Sequence, residues 1–357
     1  MMRPHSLIPL LAALGAIVPS TAAAQPTQPT QTDMTIDAAT RRQVIDGVLS
    51  ALDRAYVFPE KAAEMTRAMR ARVQRGEYDT ITSAIAFADS LTRHLQAVSH
   101  DLHLRVRYDD RAPQQGGRSA GPQRPPLENF GIGAPERLAG NVAYLELRSF
   151  GYPADVVEDA VARALGGVAD ADALIIDVRR NGGGSPQMVA LVSSYLFGPD
   201  SVHLNSLYFR PADRTDHFWT RSSVRGGRFG PAKPVYVLTS RRTFSAAEEF
   251  TYNLQSLKRA TIVGDTTGGG AHPGGVERVH PNFGVFVPSG RAINPITRTN
   301  WEGTGVRPDM PVASDRAREA AHLAALRLLA SRATDPARTA ALARAIADAE
   351  RAARGPS

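Results

Sequence analysis

The chain has 357 residues, 43% of them hydrophobic and 22% charged, an ordinary globular composition with room for two domains. It contains no cysteine, which excludes disulfides, a thiol nucleophile and any cysteine-ligated metal site. The net charge of +7 comes from arginines scattered along the chain, and only 6% of residues are aromatic, so the concentrated basic stripe with stacking rings that nucleic-acid binding needs is missing.

The first residues carry a targeting pattern. A positive start, "MMRPH", leads into an apolar run, "SLIPLLAALGAIVP", too short to span a bilayer, and then into small residues with Ala22 and Ala24 in A-x-A spacing. Residues 1–24 therefore read as a secretory signal peptide cleaved after Ala24, with the mature protein periplasmic or secreted and without a membrane span. Residues 25–34, rich in Pro, Gln and Thr, read as a disordered leader.

From 35 to 109 the apolar period is helical. Val44, Ile45, Val48, Leu49 and Leu52 fall at i, i+3/i+4 spacing, and "PEKAAEMTRAMRARVQRG" and "ITSAIAFADSLTRHLQAV" continue it, which predicts an N-terminal helical domain. Residues 110–128 are Pro/Gly-rich and read as a loop. From 129 to 312 strands and helices alternate, so an α/β domain is expected. "NVAYLELRSF", "ALIIDVR", "SVHLNSLYFR", "PVYVLTS" and "ATIVGDTT" read as strands. Helices are expected after Pro153, after the Ser185–Pro186 cap and after Ser245. "GVFVPSGRAINP" reads as a hairpin around Ser289-Gly290. Residues 313–357 read as C-terminal helices packed through Leu323, Leu326, Leu328 and Leu329.

Three stretches can carry chemistry. Ser245 stands where a strand run meets a helix run, at a site of unpaired amides and partial positive charge that favours an alkoxide; Ser245 to Glu248 also spell an S-x-x-E capping box. "DVRRNGGGS" follows a buried strand with three glycines whose amides can donate to an oxyanion, or can simply turn the chain; it lacks the spacing of a nucleotide-binding loop. "VSHDLHLRV" offers His100 and His103, three apart, as candidate general bases; without H-E-x-x-H or cysteine, a zinc site is not expected.

Together, "DLH" at 101–103, "LIIDVRRNGGG", "TSRRTFSAAEEF", "ATIVGDTTGGG" and "WEGTGVRPD" resemble the tail-specific protease family, peptidase family S41. The likeness spans roughly residues 35–312 and is greatest to the branch containing the repeats of interphotoreceptor retinoid-binding protein. It implies a crotonase-like α/β core of ββα units and a serine-type peptidase acting on peptide or protein substrates without a cofactor or metal. It implies Ser245 as nucleophile, with the amides of Gly182 or Gly183 and of Ala246 as oxyanion donors. The lysine that the processing branch uses as base would stand at Gly270, and Lys258 lies on the helix after the serine, so the Ser-His-Glu arrangement of the tricorn-like branch is expected instead. His103 matches its D-x-H histidine, His100 is the rival, and Glu302 matches the acid before G-V-x-P-D. Residues 107–128 are too few for a PDZ-like module. The retinoid-binding relatives imply an alternative, a non-catalytic carrier of a hydrophobic small molecule.

Overall fold

A computed structural model describes residues 31–110 and 127–354; the signal-peptide expectation, most of the leader and residues 111–126 of the expected Pro/Gly-rich loop lie outside the described residues. Three helices come first, α1 (Ala38–Ala55), α2 (Pro59–Gln74) and α3 (Ala84–Ser99), followed by β1 (Arg105–Tyr108). Asp37 and Ser83 cap α1 and α3 by accepting the amides of Thr40 and Ala86. The expected stripe Val44, Ile45, Val48, Leu49 and Leu52 is buried.

After β2 (Glu136–Leu138) and β3 (Val142–Glu146), α4 (Ala154–Gly166) leads to β4 (Ala173–Asp177) and α5 (Pro186–Ser194). β5 (His203–Phe209) and β6 (Arg214–Trp219) form an antiparallel pair; β7 (Val235–Thr239), α6 (Ala246–Ser256) and β8 (Thr261–Gly264) resume the alternation. β9 (Gly274–His280), β10 (Phe283–Pro288), β11 (Gly290–Ile293), β12 (Met310–Pro311), α7 (Ala317–Arg332) and α8 (Pro336–Arg354) complete the described residues. From Asp33 on, the described residues make one compact unit. No helix among them is long and apolar enough to cross a membrane.

The central sheet has the order β12-β8-β7-β4-β3-β2, parallel throughout except for the β2–β3 pair. β4 and β7 are buried along their whole length, as the continuous apolar runs require of strands covered on both faces. One face packs against α4, α5 and α6. The other packs against α7 and α8, where the buried stripe is Ala317, Ala321, Ala325 and Leu326. Of the leucines expected there, only Leu326 is fully buried; alanines at i, i+4 let α7 approach the sheet more closely than leucines would.

The expected hairpin at Ser289-Gly290 is not formed. β10 pairs with β9 and β1, whereas β11 pairs with β5 in a different sheet. The chain crosses between sheets because the Ser289 and Gly290 amides both donate to the Pro273 carbonyl, and the Ser289 carbonyl accepts from Arg210. β10 also ties the two ends of the chain together: Phe283, Val285 and Val287 share one apolar cluster with α1, α2 and α3. The turn between α3 and β1 thereby comes to the loops at the carboxyl ends of β4, β7 and β8, the end of a parallel sheet where ligands bind.

Candidate active site

Ser245 sits between β7 and α6 with φ 56° and ψ −124°. Among L-residues this is an avoided conformation, normally given to glycine at the first corner of a type II′ turn, and it costs about 1–3 kcal/mol. The other two helix-capping serines among the described residues sit in relaxed extended geometry, Ser83 at φ −79° and Ser185 at φ −91°. A plain cap therefore needs no strain, whereas a sharp strand-to-helix elbow that exposes a nucleophile does.

Hydrogen bonds clamp the elbow from three sides. Its Phe244 amide donates to the Asn181 carbonyl at 3.1 Å, fastening it to the triple-glycine turn, and its Thr243 carbonyl accepts from Gly268 at 3.0 Å. Glu248, fully buried, accepts from Ser245 N (2.9 Å), Gly269 N (2.6 Å), Gly270 N (2.8 Å) and Thr267 Oγ1 (2.5 Å). Burial pushes its carboxyl upward, and these four donors pull it back. The glutamate of the capping box is thus a staple between two loops as well as a helix cap.

The glycine turn lies directly on the serine. A Cβ on Gly183, whose φ is +104°, would stand 2.7 Å from Ser245 Cβ and 2.8 Å from Ala246 N, so only glycine fits there. The Gly183 amide donates to Asn181 Oδ1 (2.9 Å), and Asn181 Nδ2 donates to the Leu147 carbonyl (3.1 Å). Asn181 is wholly buried and was not singled out from the sequence, although it stands in the quoted N-G-G-G. Asn181→Ala leaves the half-buried Gly183 amide and the buried Leu147 carbonyl without their partner, so a loss of about 1–3 kcal/mol in a denaturant titration is expected.

His103 comes from the turn after α3, where Asp101 Oδ1 accepts the His103 amide at 3.0 Å. Its ring packs against Phe244 (centroids 4.6 Å apart) and stacks on Phe286 (5.7 Å). Burial drives its pKa down to about 4, against a smaller upward pull from Asp101, so the imidazole is neutral at physiological pH. Its Nδ1 is buried and unpartnered among the described residues, as is Glu302 Oε1. A carboxylate oxygen of Glu302, one of Asp101 and a ring nitrogen of His103 all lie within 4.8 Å of one another. That spacing resembles a ligand set, but Asp101 is already engaged by Tyr56 Oη (3.2 Å) and His272 Nδ1 (2.8 Å), and Glu302 Oε2 by the Ala271 amide.

His272 was missed in the sequence. It is buried, two residues past Gly270 in "GGGAHP", and its Nδ1 lies 2.8 Å from Asp101 and 3.5 Å from Glu302, bridging the two carboxylates. Burial and the charge of Asp101 push Glu302 up to about 7. His100 stays outside this cluster: it is exposed and ends α3 in a left-handed conformation, φ 58°. Lys258 is likewise exposed. Gly270 has a spatial reason to be glycine, because a Cβ there would stand 2.3 Å from the Phe244 ring and 2.6 Å from His103 Cε1. The imidazole occupies the space a side chain at 270 would need.

Ser245, Ala246, Gly184, Gly270 and Trp301 line one pocket, which holds about 60 Å³. A wider groove of about 530 Å³ is lined in part by Tyr152, Asp155, Ser185, Gln187 and Arg221.

Residues 141–312 match the model of peptidase family S41, and residues 35–142 match that of the N-terminal domain of peptidase S41 in eukaryotic IRBP. Among solved structures, the chain is similar to a presumed peptidase of Parabacteroides merdae (TM-score 0.58, 20% identity, 80% of this chain and 96% of that one). It is also similar to the tricorn protease (0.53, 13%, 81% of this chain and 36% of that one) and to a lipoprotein of Streptococcus agalactiae (0.51, 13%, 79% and 95%). At these identities the structural likeness speaks to the fold.

Proposed function

We propose, from the premise that this chain belongs to peptidase family S41 and is a serine peptidase, that Ser245 is its nucleophile and His103 its general base, in a protein exported through its N-terminal segment. The observation that carries the reading is the left-handed backbone of Ser245, a strain that helix capping alone does not require.

In this scheme neutral His103 takes the Ser245 proton as Oγ attacks a peptide carbonyl, and returns it to the leaving amine. Glu302 positions the imidazole and supports its cationic form. His272 and the Ala271 amide hold that carboxylate in place, Asp101 anchors His272, and Tyr56 donates to Asp101. The oxyanion is met by the Ala246 amide at the start of α6 and by an amide of the Gly182–Gly183 turn, each worth about 3 kcal/mol. Because Gly183 N already donates to Asn181, Gly182 N is the turn's better donor. Water then releases the acyl group. The groove lined in part by Ser185 gives an extended peptide somewhere to lie. A carrier of an apolar ligand would need a roomier pocket than the one beside Ser245, since small-molecule sites run to about 300–1,000 Å³.

A fluorophosphonate probe tests the assignment. Labelling of Ser245 is the expected result; absence of labelling in protein that binds an apolar fluorophore tightly would make the chain a carrier. The pH profile tests the base. Glu302 is protonated below about 7 and charged above it, so the hydrolysis rate should rise through about pH 7 rather than near 4, where His103 titrates. A carboxyl raised in the folded state holds its proton more tightly than in the unfolded chain, so this group costs stability as pH rises from 4.5 to 7. Glu302→Gln should flatten the limb, lower the plateau rate by about 10–100-fold, and unfold at a higher temperature than wild type at pH 8.

A further inference from the structure

The pocket beside Ser245 contains a carboxyl that the hydrolytic scheme does not use. Glu249, the second glutamate of "SAAEEF", lies in the first turn of α6 and is only 4% exposed. It lines the pocket together with Leu207, Ala292, Trp301 and Pro186. Its Oε1 has no hydrogen-bond partner among the described residues, and neither amide atom of the fully buried Asn205 has one. Burial pushes the Glu249 carboxyl up to about 7, and Asn205 offsets part of that.

A carboxyl in such a place is costly and adds nothing to packing that a methionine would not supply. Its presence at the wall of a reactive cleft points to something it meets there. The pocket holds about 60 Å³. That space admits a slender side chain and not a bulky aromatic one, and a slender chain that ends in a cation is what a carboxyl on an apolar wall would select.

Resting on the Ser245 reading above, we propose that Glu249 is the specificity-determining residue of this peptidase. The pocket takes the side chain of the substrate residue on the acyl side of the scissile bond and selects lysine. The methylene stem lies between Leu207, Ala292 and Trp301, and the ammonium sits against Glu249. The ion pair is made only when substrate fills the pocket, so discrimination against a neutral side chain of equal length comes from the unpaired carboxyl left behind.

Fluorogenic peptides that differ only in lysine, norleucine or alanine at that residue measure the effect. Wild type should favour lysine over norleucine by at least about 30-fold in kcat/KM, and Glu249→Gln should reduce the ratio to about threefold or less. A wild-type preference for norleucine or alanine, or a ratio unchanged in Glu249→Gln, would overturn the proposal. A second measurement does not depend on hydrolysis. n-Butylammonium, titrated by calorimetry into wild type, Ser245→Ala and Glu249→Met, should bind the first two and not the third; no binding to wild type would sink the idea. If butylammonium binds while Ser245 resists the fluorophosphonate, the nucleophile assignment fails and the cation pocket stands.

Discussion

Replacing Ser245 with alanine is expected to lower peptide hydrolysis by at least about 10⁴-fold while the fold survives. The rate loss follows from removing the atom proposed above to form the acyl-enzyme. The fold survives because the elbow is held by bonds that do not involve the hydroxyl: Glu248 accepts the Ser245 amide, and Phe244 N and Thr243 O tie the flanking residues to neighbouring loops. At most about 1 kcal/mol of capping is lost. Ser245→Gly is the sharper variant. It is just as inactive, but it relaxes a residue held at φ 56°, so its unfolding free energy should match wild type or exceed it by up to about 1 kcal/mol. An inactive protein that is also as stable as its parent would separate the serine's chemical role from its structural one. A Ser245→Gly protein that still turns over substrate would mean that the nucleophile lies elsewhere.

The second large effect is expected at Gly270. An alanine there must displace Phe244 or His103, because its methyl would sit 2.3 Å from one ring and 2.6 Å from the other. Overpacking of this kind costs about 1–3 kcal/mol, and a catalytic group displaced by roughly 1 Å loses on the order of 10²-fold in rate. His103→Ala, which removes the proposed base outright, should lower kcat by about 10²–10⁴-fold with substrate binding little changed. His272→Ala separates the two histidines: it loosens Asp101 and Glu302 and should shift the pH profile, yet retain more activity than His103→Ala. The opposite order would make His272 the base.

What could be read in the sequence follows from what is local. Ser245 stood out because strand, turn and helix adjoin it in the chain. The triple-glycine turn stood out because successive glycines are rare outside backbone that must pass close to something. The α1 stripe was legible because a helix repeats its buried face every three to four residues. Pairing partners were not legible. β1 and β9 lie at a sheet edge with mixed burial, and the apparent hairpin at Ser289-Gly290 joins strands of two different sheets, since turn residues report a change of direction and not the strand that is met next.

The sequence by itself determined the α/β alternation, the helical start of the chain, the serine and its glycine partner loop, and the absence of a lysine at position 270. Only the tertiary structure decided between His100 and His103 as a neighbour of Glu302, brought in His272 across 171 positions to hold Asp101, and left Glu249 Oε1 without a hydrogen-bond partner among the described residues at the pocket wall. The division has one physical cause. A residue's backbone conformation is set by neighbours within a turn or a strand, but its burial, its charge state and its partners are set by segments that meet only after β10 has tied the front of the chain to its far end.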